Sequence, residues 1–273
     1  MKEKRRFNAV VTIVLVVLAV FFIFPFYWLT IGMTKDVGQL FQKSLLPGIP
    51  SHLFDNISRV FSYQNGVFFN WLGNSVLYAT VGAFVGVLIA SLAGYAFRRY
   101  DFFGKRLLFV VILAFAMVPG FATTLPIFMM FRDLKLLDTR FAILLPSFVN
   151  IFGTYMMVAY WNQVSDEIFD AAEIDGANDL LIFWKIGLPN VLPGFITLFL
   201  LAFVGVWNNF FLPLVLLNSR TKMPLILGIT TITDSQGFPV YNLTLTASFF
   251  TILPLLVIFI SMQRYFKPQI YMR

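Results

Sequence analysis

The chain of 273 residues has no cysteine and a single histidine, His52. Disulfides and thiolate metal sites are therefore excluded, and one imidazole makes neither a zinc site nor an acid–base constellation. His52 is read as a solvated loop residue. No H-E-x-x-H, G-x-S-x-G or G-x-x-x-x-G-K-S/T run is present; Gly104-Lys105 is followed by Arg106 and lacks the upstream glycine. The expectation is a chain that is not an enzyme and binds no metal or nucleotide itself. Charge is scarce as well. Only 12% of residues are Asp, Glu, Lys or Arg, about half the share of a soluble domain. The net charge of +7 does not indicate nucleic acid, because the basic residues flank apolar runs instead of forming one stripe.

What is present in excess is apolar length. Hydrophobic residues make up 59% of the chain and mean hydropathy is +0.82. They gather into runs of about 20, the length that crosses the ~30 Å hydrocarbon layer as a helix. Six spans are expected: 9–31, 71–97, 107–130, 141–160, 191–217 and 243–262. The first is too long for a signal-peptide core and lacks a small-residue cleavage site; Tyr27 and Trp28 suit its far interface. The fold class is thus an all-α integral membrane protein, read as one transmembrane domain over 1–273 with long outer loops at 32–70 and 218–242.

Basic residues set the orientation. Lys2, Lys4, Arg5 and Arg6 precede span 1. Arg98, Arg99, Lys105 and Arg106 join spans 2 and 3, and Arg264, Lys267 and Arg273 follow span 6. With six spans these segments share one side, which predicts N-in and C-in. The loop after span 3 dissents with Arg132, Lys135 and Arg140, offset by Asp133 and Asp138. No Asp, Glu, Lys, Arg or His falls inside any span. A charge at the bilayer centre costs at least ~2.5–3.5 kcal/mol and is kept mainly for function, so this absence weakens a proton-driven mechanism. A sodium site of backbone carbonyls remains open.

Residues 161–190 between spans 4 and 5 are acidic and read as a helix-turn-helix. Ser165 is a candidate N-cap, followed by Asp166 and Glu167 where the helix dipole favours negative charge. Gly176 can adopt the left-handed stop after Asp175. Asn178 or Asp179 can cap a second short helix ending before Pro189. Asp166, Asp170 and Glu173 fall at i, i+4 and i+7, on one face. Ala171 and Ala172 leave room for a partner, and Ile168 and Ile174 offer apolar contacts. A helix this short needs a surface to lie on.

The spacing Asp170-Ala171-Ala172, three residues, Gly176, nine residues, Ile186, one residue, Leu188-Pro189 resembles the EAA loop of ABC importer permeases. Tyr95–Leu108 (YAFRRYDFFGKRLL) and Gly205–Leu214 (GVWNNFFLPL) resemble segments of carbohydrate permeases of the maltose-transporter type. The likeness covers most of 70–217. It departs at Asp170, where the family has Glu, and in the tail from Arg264, for which no role is carried over. The resemblance implies a permease subunit of an ATP-driven importer for a carbohydrate or similar polar solute. Implied partners are a second permease, two ATPase subunits that hold ATP and Mg, an extracytoplasmic solute-binding protein, and membrane lipid. Asp170, Ala171, Ala172, Glu173, Asp175, Gly176 and Ala177 would form the ATPase-coupling element. Asp234, Gln236 and Gly237, in the outer loop, would meet the binding protein.

Other residues interrupt apolar runs. Gly82, Gly86, Ala90 and Gly94 make a small-residue stripe suited to close helix packing. Asn208 and Asn209, beside Trp207, need partners in hydrocarbon; they are candidates for the solute path, with Asn150 and Tyr155 of the same type. Pro119-Gly120, Pro126, Pro193-Gly194, Gly205 and Pro213 mark expected weak points in spans 3 and 5. The competing readings are a secondary transporter driven by an ion gradient and a structural membrane subunit with no solute path.

Overall fold

A computed structural model describes residues 2–42 and 44–262. The tail with Arg264, Lys267 and Arg273 lies outside the described residues, as do the side chains of the basic N-terminus. In chain order the main helices are α1 (Lys2–Gly32), α2 (Leu53–Ser62), α3 (Val67–Arg99), α4 (Lys105–Ala116) and α5 (Thr124–Asp133). They continue with α6 (Phe141–Ser147), α7 (Ile151–Trp161), α8 (Asp166–Ile174), α9 (Asp179–Trp207), α10 (Phe211–Leu216) and α11 (Tyr241–Met262). Five segments among the described residues are long and apolar enough to cross a membrane, and α4 with α5 makes a sixth that is bent by 98°.

Two compact units result. Among the described residues the first holds 2–69 and 228–253, the second 70–227 and 254–262. In the first, Asn56 and Asn242 are buried and joined, the Asn242 amide donating to Asn56 Oδ1 at 2.7 Å. Asn56 donates in turn to the carbonyls of Met33 and Lys35 at 2.8 and 2.9 Å. Lys35 is 2% exposed; its ammonium donates to the Ser44 carbonyl at 2.6 Å and lies 5.7 Å from the Trp28 ring. The end of α1 is thereby tied to the loop that follows it. Tyr27, expected as an interface anchor, donates to the Leu45 carbonyl at 2.6 Å. His52 sits 3.7 Å from Asp36 with its side chain 32% exposed.

In the second unit the glycine stripe of α3 meets α6 and α7. A Cβ on Gly86 would lie 2.7 Å from the Ser147 carbonyl oxygen, and one on Gly94 would lie 2.8 Å from Trp161 Cδ1. Ala90 is buried in the same cluster as Met157 and Trp161. The stripe is therefore a packing surface within the chain. Small residues let two backbones approach where lipid supplies no hydrophobic drive.

Three spans break, each for a local reason: span 3 at the expected Pro119-Gly120 weak point, span 5 between the expected Gly205 and Pro213, and span 4 at a place where no break is expected. Span 3 is not straight: Met117 and Val118 close tight turns onto Ala114 and Phe115, and Pro119 adopts an extended conformation. Proline lacks the N–H that would carry the helix on. Span 4 breaks at 148–150, where Asn150 leaves the helical region and its side chain caps α7. Span 5 does not run to Leu217 but stops at Trp207 and restarts at Phe211.

The upstream end of span 5 differs too. The second helix expected within 161–190 does not end before Pro189; it is the start of α9. Ile182–Gly187 form a wide π turn in which the Leu188 N–H reaches the Phe183 carbonyl, and the regular helix resumes around the proline. Pro193-Gly194 does not break the helix either. Gly194 instead seats Tyr160, whose ring carbons lie 2.5 Å from where a Cβ would be.

Candidate coupling element and solute path

Helix α8 begins at the predicted position, but Ser165 makes no side-chain cap. Its stop is the predicted one. Gly176 has φ +78°, with Gly176 N–H on the Glu173 carbonyl (2.9 Å) and Ala177 N–H on the Ala172 carbonyl (3.0 Å). These two bonds are the paired closure of a left-handed helix stop. Asn178 then caps α9 through the Leu181 N–H at 2.9 Å.

The acidic face divides. Asp166 accepts from Arg98 at 2.6 Å and Glu173 pairs with Arg99. Both arginines are the last residues of α3. Asp170 parts from its neighbours; it is exposed and has no ion pair among the described residues. The outward stripe is Glu167, Asp170, Ala171 and Ile174, spaced i, i+3, i+4 and i+7, with Ile174 86% exposed. Ala172 is not offered to a partner, as the sequence suggested; it is 4% exposed and packs with Phe169 into the chain's own core. Phe169 sits beneath Arg98 and Arg99, whose guanidinium carbons are 5.7 and 5.9 Å from its ring, and 6.2 Å from Tyr95. Asp175 and Gly176 are exposed and Ala177 is half-buried.

The second candidate region lies between α5, α6, α9 and α10. The breaks in spans 3, 4 and 5 converge on one cavity of about 430 Å³. Gly120, Thr123 and Thr124 come from the first break, Ser147 and Asn150 from the second, Gly205 and Asn209 from the third. No charged side chain lines it. Asn150 Oδ1 accepts from the Gly153 N–H at 2.7 Å and Asn209 Oδ1 from the Leu212 N–H at 3.3 Å. Each carboxamide thus spends its oxygen on capping a half-helix. Its amide N–H₂ has no acceptor among the described residues.

The other path candidates stand elsewhere. Asn208 is exposed and Tyr155 is 44% exposed, and neither lines the cavity. Trp207 is 1% exposed and stacks on Phe203 at 5.7 Å; its indole N–H has no partner among the described residues. Sequence reasoning missed Thr123, Thr124 and Ser147. Pro119 and Pro146 were the available signals, since each marks a place where the helix ladder loses a bond.

At the opposite end of α3, the 216–225 segment is fastened by main-chain acceptors. Trp71, Asn74 and Tyr78 donate to the carbonyls of Arg220, Thr221 and Lys222 at 2.8, 2.8 and 2.9 Å. Asp138 joins this end. Its carboxylate accepts from Asn218 N–H (3.0 Å), Ser219 N–H (2.9 Å), Ser219 Oγ (2.5 Å) and Lys222 Nζ (3.0 Å). Burial works to raise its pKa, but the bonds from Ser219, Lys222 and Asn218 outweigh it and hold the carboxyl well below the ordinary range.

In the other unit, Asp234, Gln236 and Gly237 form the tip of a small exposed hairpin. Asp234 Oδ1 accepts from the N–H groups of Gln236 and Phe238 at 2.9 Å each, and Gly237 takes φ +86°. Tyr63 Oη braces the base, accepting from the Thr233 N–H at 3.0 Å.

A polytopic helical membrane protein with an internally clamped helix-turn at one end and broken spans around an uncharged cavity belongs to the class of transport permeases. The chain is a member of the family of binding-protein-dependent transport system inner membrane components, whose model matches residues 82–271. It is 33% identical over 246 residues to the arabinooligosaccharides transport system permease protein AraQ of Halalkalibacterium halodurans, covering 89% of this chain and 88% of that one. It is 32% identical to the lactose transport system permease protein LacG of Rhizobium radiobacter, covering 96% and 95%. Its fold matches a chain of a crystal structure of a bacterial ABC transporter involved in the import of the acidic polysaccharide alginate, with TM-score 0.86, 25% identity and coverage of 98% and 99%. The chain is thus a multi-pass inner-membrane permease subunit of the ABC importer type, and the family is one of permeases rather than enzymes. This membership sets aside the ion-gradient and purely structural readings.

Proposed function

We propose that the chain forms one half of the translocation path of an ATP-driven carbohydrate importer and is driven through α8. In this reading α8 faces the cytoplasm, with N- and C-termini on the same side. Glu167, Asp170, Ala171 and Ile174 lie against an ATPase subunit, and ATP and Mg are held by two such subunits. A second permease completes the path, and the hairpin at Asp234, Gln236 and Gly237 meets the solute-binding protein. The observation that carries the reading is the separation of the two faces of α8: one is locked to α3 by Arg98 and Arg99, the other is left exposed. A nine-residue helix is marginal alone, and its outward stripe offers an acid, a small residue and an isoleucine to a partner.

The cavity supports the solute half of the proposal. Irregular backbone at membrane depth is tolerated where it lines a cavity. Hydroxyls of Thr123, Thr124 and Ser147 and the free amide groups of Asn150 and Asn209 suit sugar hydroxyls. Replacing Gly176 with valine tests the coupling half. A β-branched residue is a steric outlier at φ > 0, so solute-stimulated ATP hydrolysis and uptake by the assembled importer should both fall. Wild-type rates for both would overturn the coupling role.

A further inference from the structure

We infer that α3 is the rod that carries the motion of α8 to the solute cavity, and that Arg98 and Arg99 are the positioning residues that make the joint rigid. The inference rests on the proposed docking of α8 and extends it. Along the chain α8 is joined to span 4 before it and to span 5 after it. The geometry adds a third connection. Arg98 Nη2 bonds both Asp166 (2.6 Å) and the Val164 carbonyl (3.2 Å), so it grips the start of α8 and the chain two residues before it. Arg99 grips the last turn through Glu173. Between them Phe169 is buried at 1% exposure under both guanidinium groups.

Three contacts along one short helix fix position and tilt together; a single ion pair would leave a swivel. The Arg98 and Arg99 side chains are 21% and 22% exposed and Asp166 and Glu173 are 70% and 49% exposed, so the arginines are held by packing while the carboxylates face solvent. Farther along α3, Gly82 and Gly86 press on the Ser147 side chain and carbonyl. Ser147 lines the cavity beside the break at 148–150. A displacement of α8 therefore reaches the cavity wall through α3 without a loop in between. Packed helices transmit such a shift because their interiors do not deform continuously.

The test uses the full importer, reconstituted with its ATPase and binding-protein partners, and reads solute moved per ATP hydrolysed. Arg99→Gln should lower that ratio by about tenfold, within the span of typical coupling energies. The double exchange Arg99→Glu with Glu173→Arg should restore it. Because the chain has no cysteine, Arg98→Cys with Asp166→Cys can be bridged by a short bifunctional thiol reagent. A rigid joint predicts that the bridged protein still transports; a sliding contact predicts transport lost on bridging. A wild-type ratio in Arg99→Gln, or loss on bridging, overturns the inference. ATPase co-purification is measured in the same preparations. Failure of docking then reads as missing ATPase, and failure of the rod as retained ATPase with unaltered or wrongly signed coupling.

Discussion

The Ser147 carbonyl oxygen lies 2.7 Å from the point where Gly86 would carry a Cβ. The two residues bring α3 and the broken span 4 into backbone contact beside the cavity. Gly86→Leu should force the helices apart and cost about 1–3 kcal/mol, the usual range for overpacking. Gly73, on the same helix, would place a Cβ with nothing within 4 Å. Gly73→Ala should be neutral or stabilise by up to about 1 kcal/mol through its helix propensity. Thermal unfolding of both variants in detergent checks the contrast.

Asn150 and Asn209 should be separable from Asn208. Asn150→Leu removes both the cap on Gly153 and a cavity amide, and loss of a cap costs about 1 kcal/mol. Asn150→Leu combined with Asn209→Leu should lower uptake strongly. Asn208→Leu should change it little, because that side chain neither caps a helix nor lines the cavity. Uptake measured at saturating binding protein distinguishes them.

Asp138 takes φ +53°, a conformation Asn and Asp tolerate better than most residues. Asp138→Asn therefore keeps the backbone while removing the charge held by Ser219 and Lys222. Protease cleavage in 134–140 or 216–225 should accelerate. Since the folded carboxyl titrates below its ordinary value of 3.8, its stabilisation is fully present above that value. It is lost only as pH falls further, through the folded pKa. The wild-type clasp should thus be insensitive to pH between about 5 and 8, and the same protease assay across that range checks it.

Gly176→Ala should destabilise α8 by about 1–2 kcal/mol, the cost of a side chain in the left-handed region, even though a Cβ there would touch nothing. Gly176→Asn should cost less, because Asn also enters that region. Hydrogen exchange over 166–177 reports the difference directly.

Much of this architecture was legible in the sequence. Apolar length gave span 6 to within two residues and placed spans 1 and 2 inside the longer helices Lys2–Gly32 and Val67–Arg99, and Gly176 gave the end of α8. The breaks were harder. Pro119 announces one, but those at 148–150 and 208–210 carry no proline at the break itself. They arise because Asn150 and Asn209 turn their side chains back onto main-chain N–H groups. That outcome depends on Gly153 and Leu212 downstream, and periodicity does not register it. The division of the acidic face was hidden for a similar reason. Asp166, Asp170 and Glu173 share a spacing, but only tertiary packing brings Arg98 and Arg99, 68 and 74 residues earlier, to two of the three. Pro193-Gly194 misled because the glycine serves contact with Tyr160 and not a bend.

The most direct test of the account places a single photoreactive or thiol cross-linker at position 174 of the importer in intact membranes. The prediction is a cross-link from Ile174 on α8 to an ATPase subunit, formed only by reagents that reach the cytoplasm. Labelling of that position from the outer face, or an assembly in which no ATPase ever joins to it, would contradict the central claim.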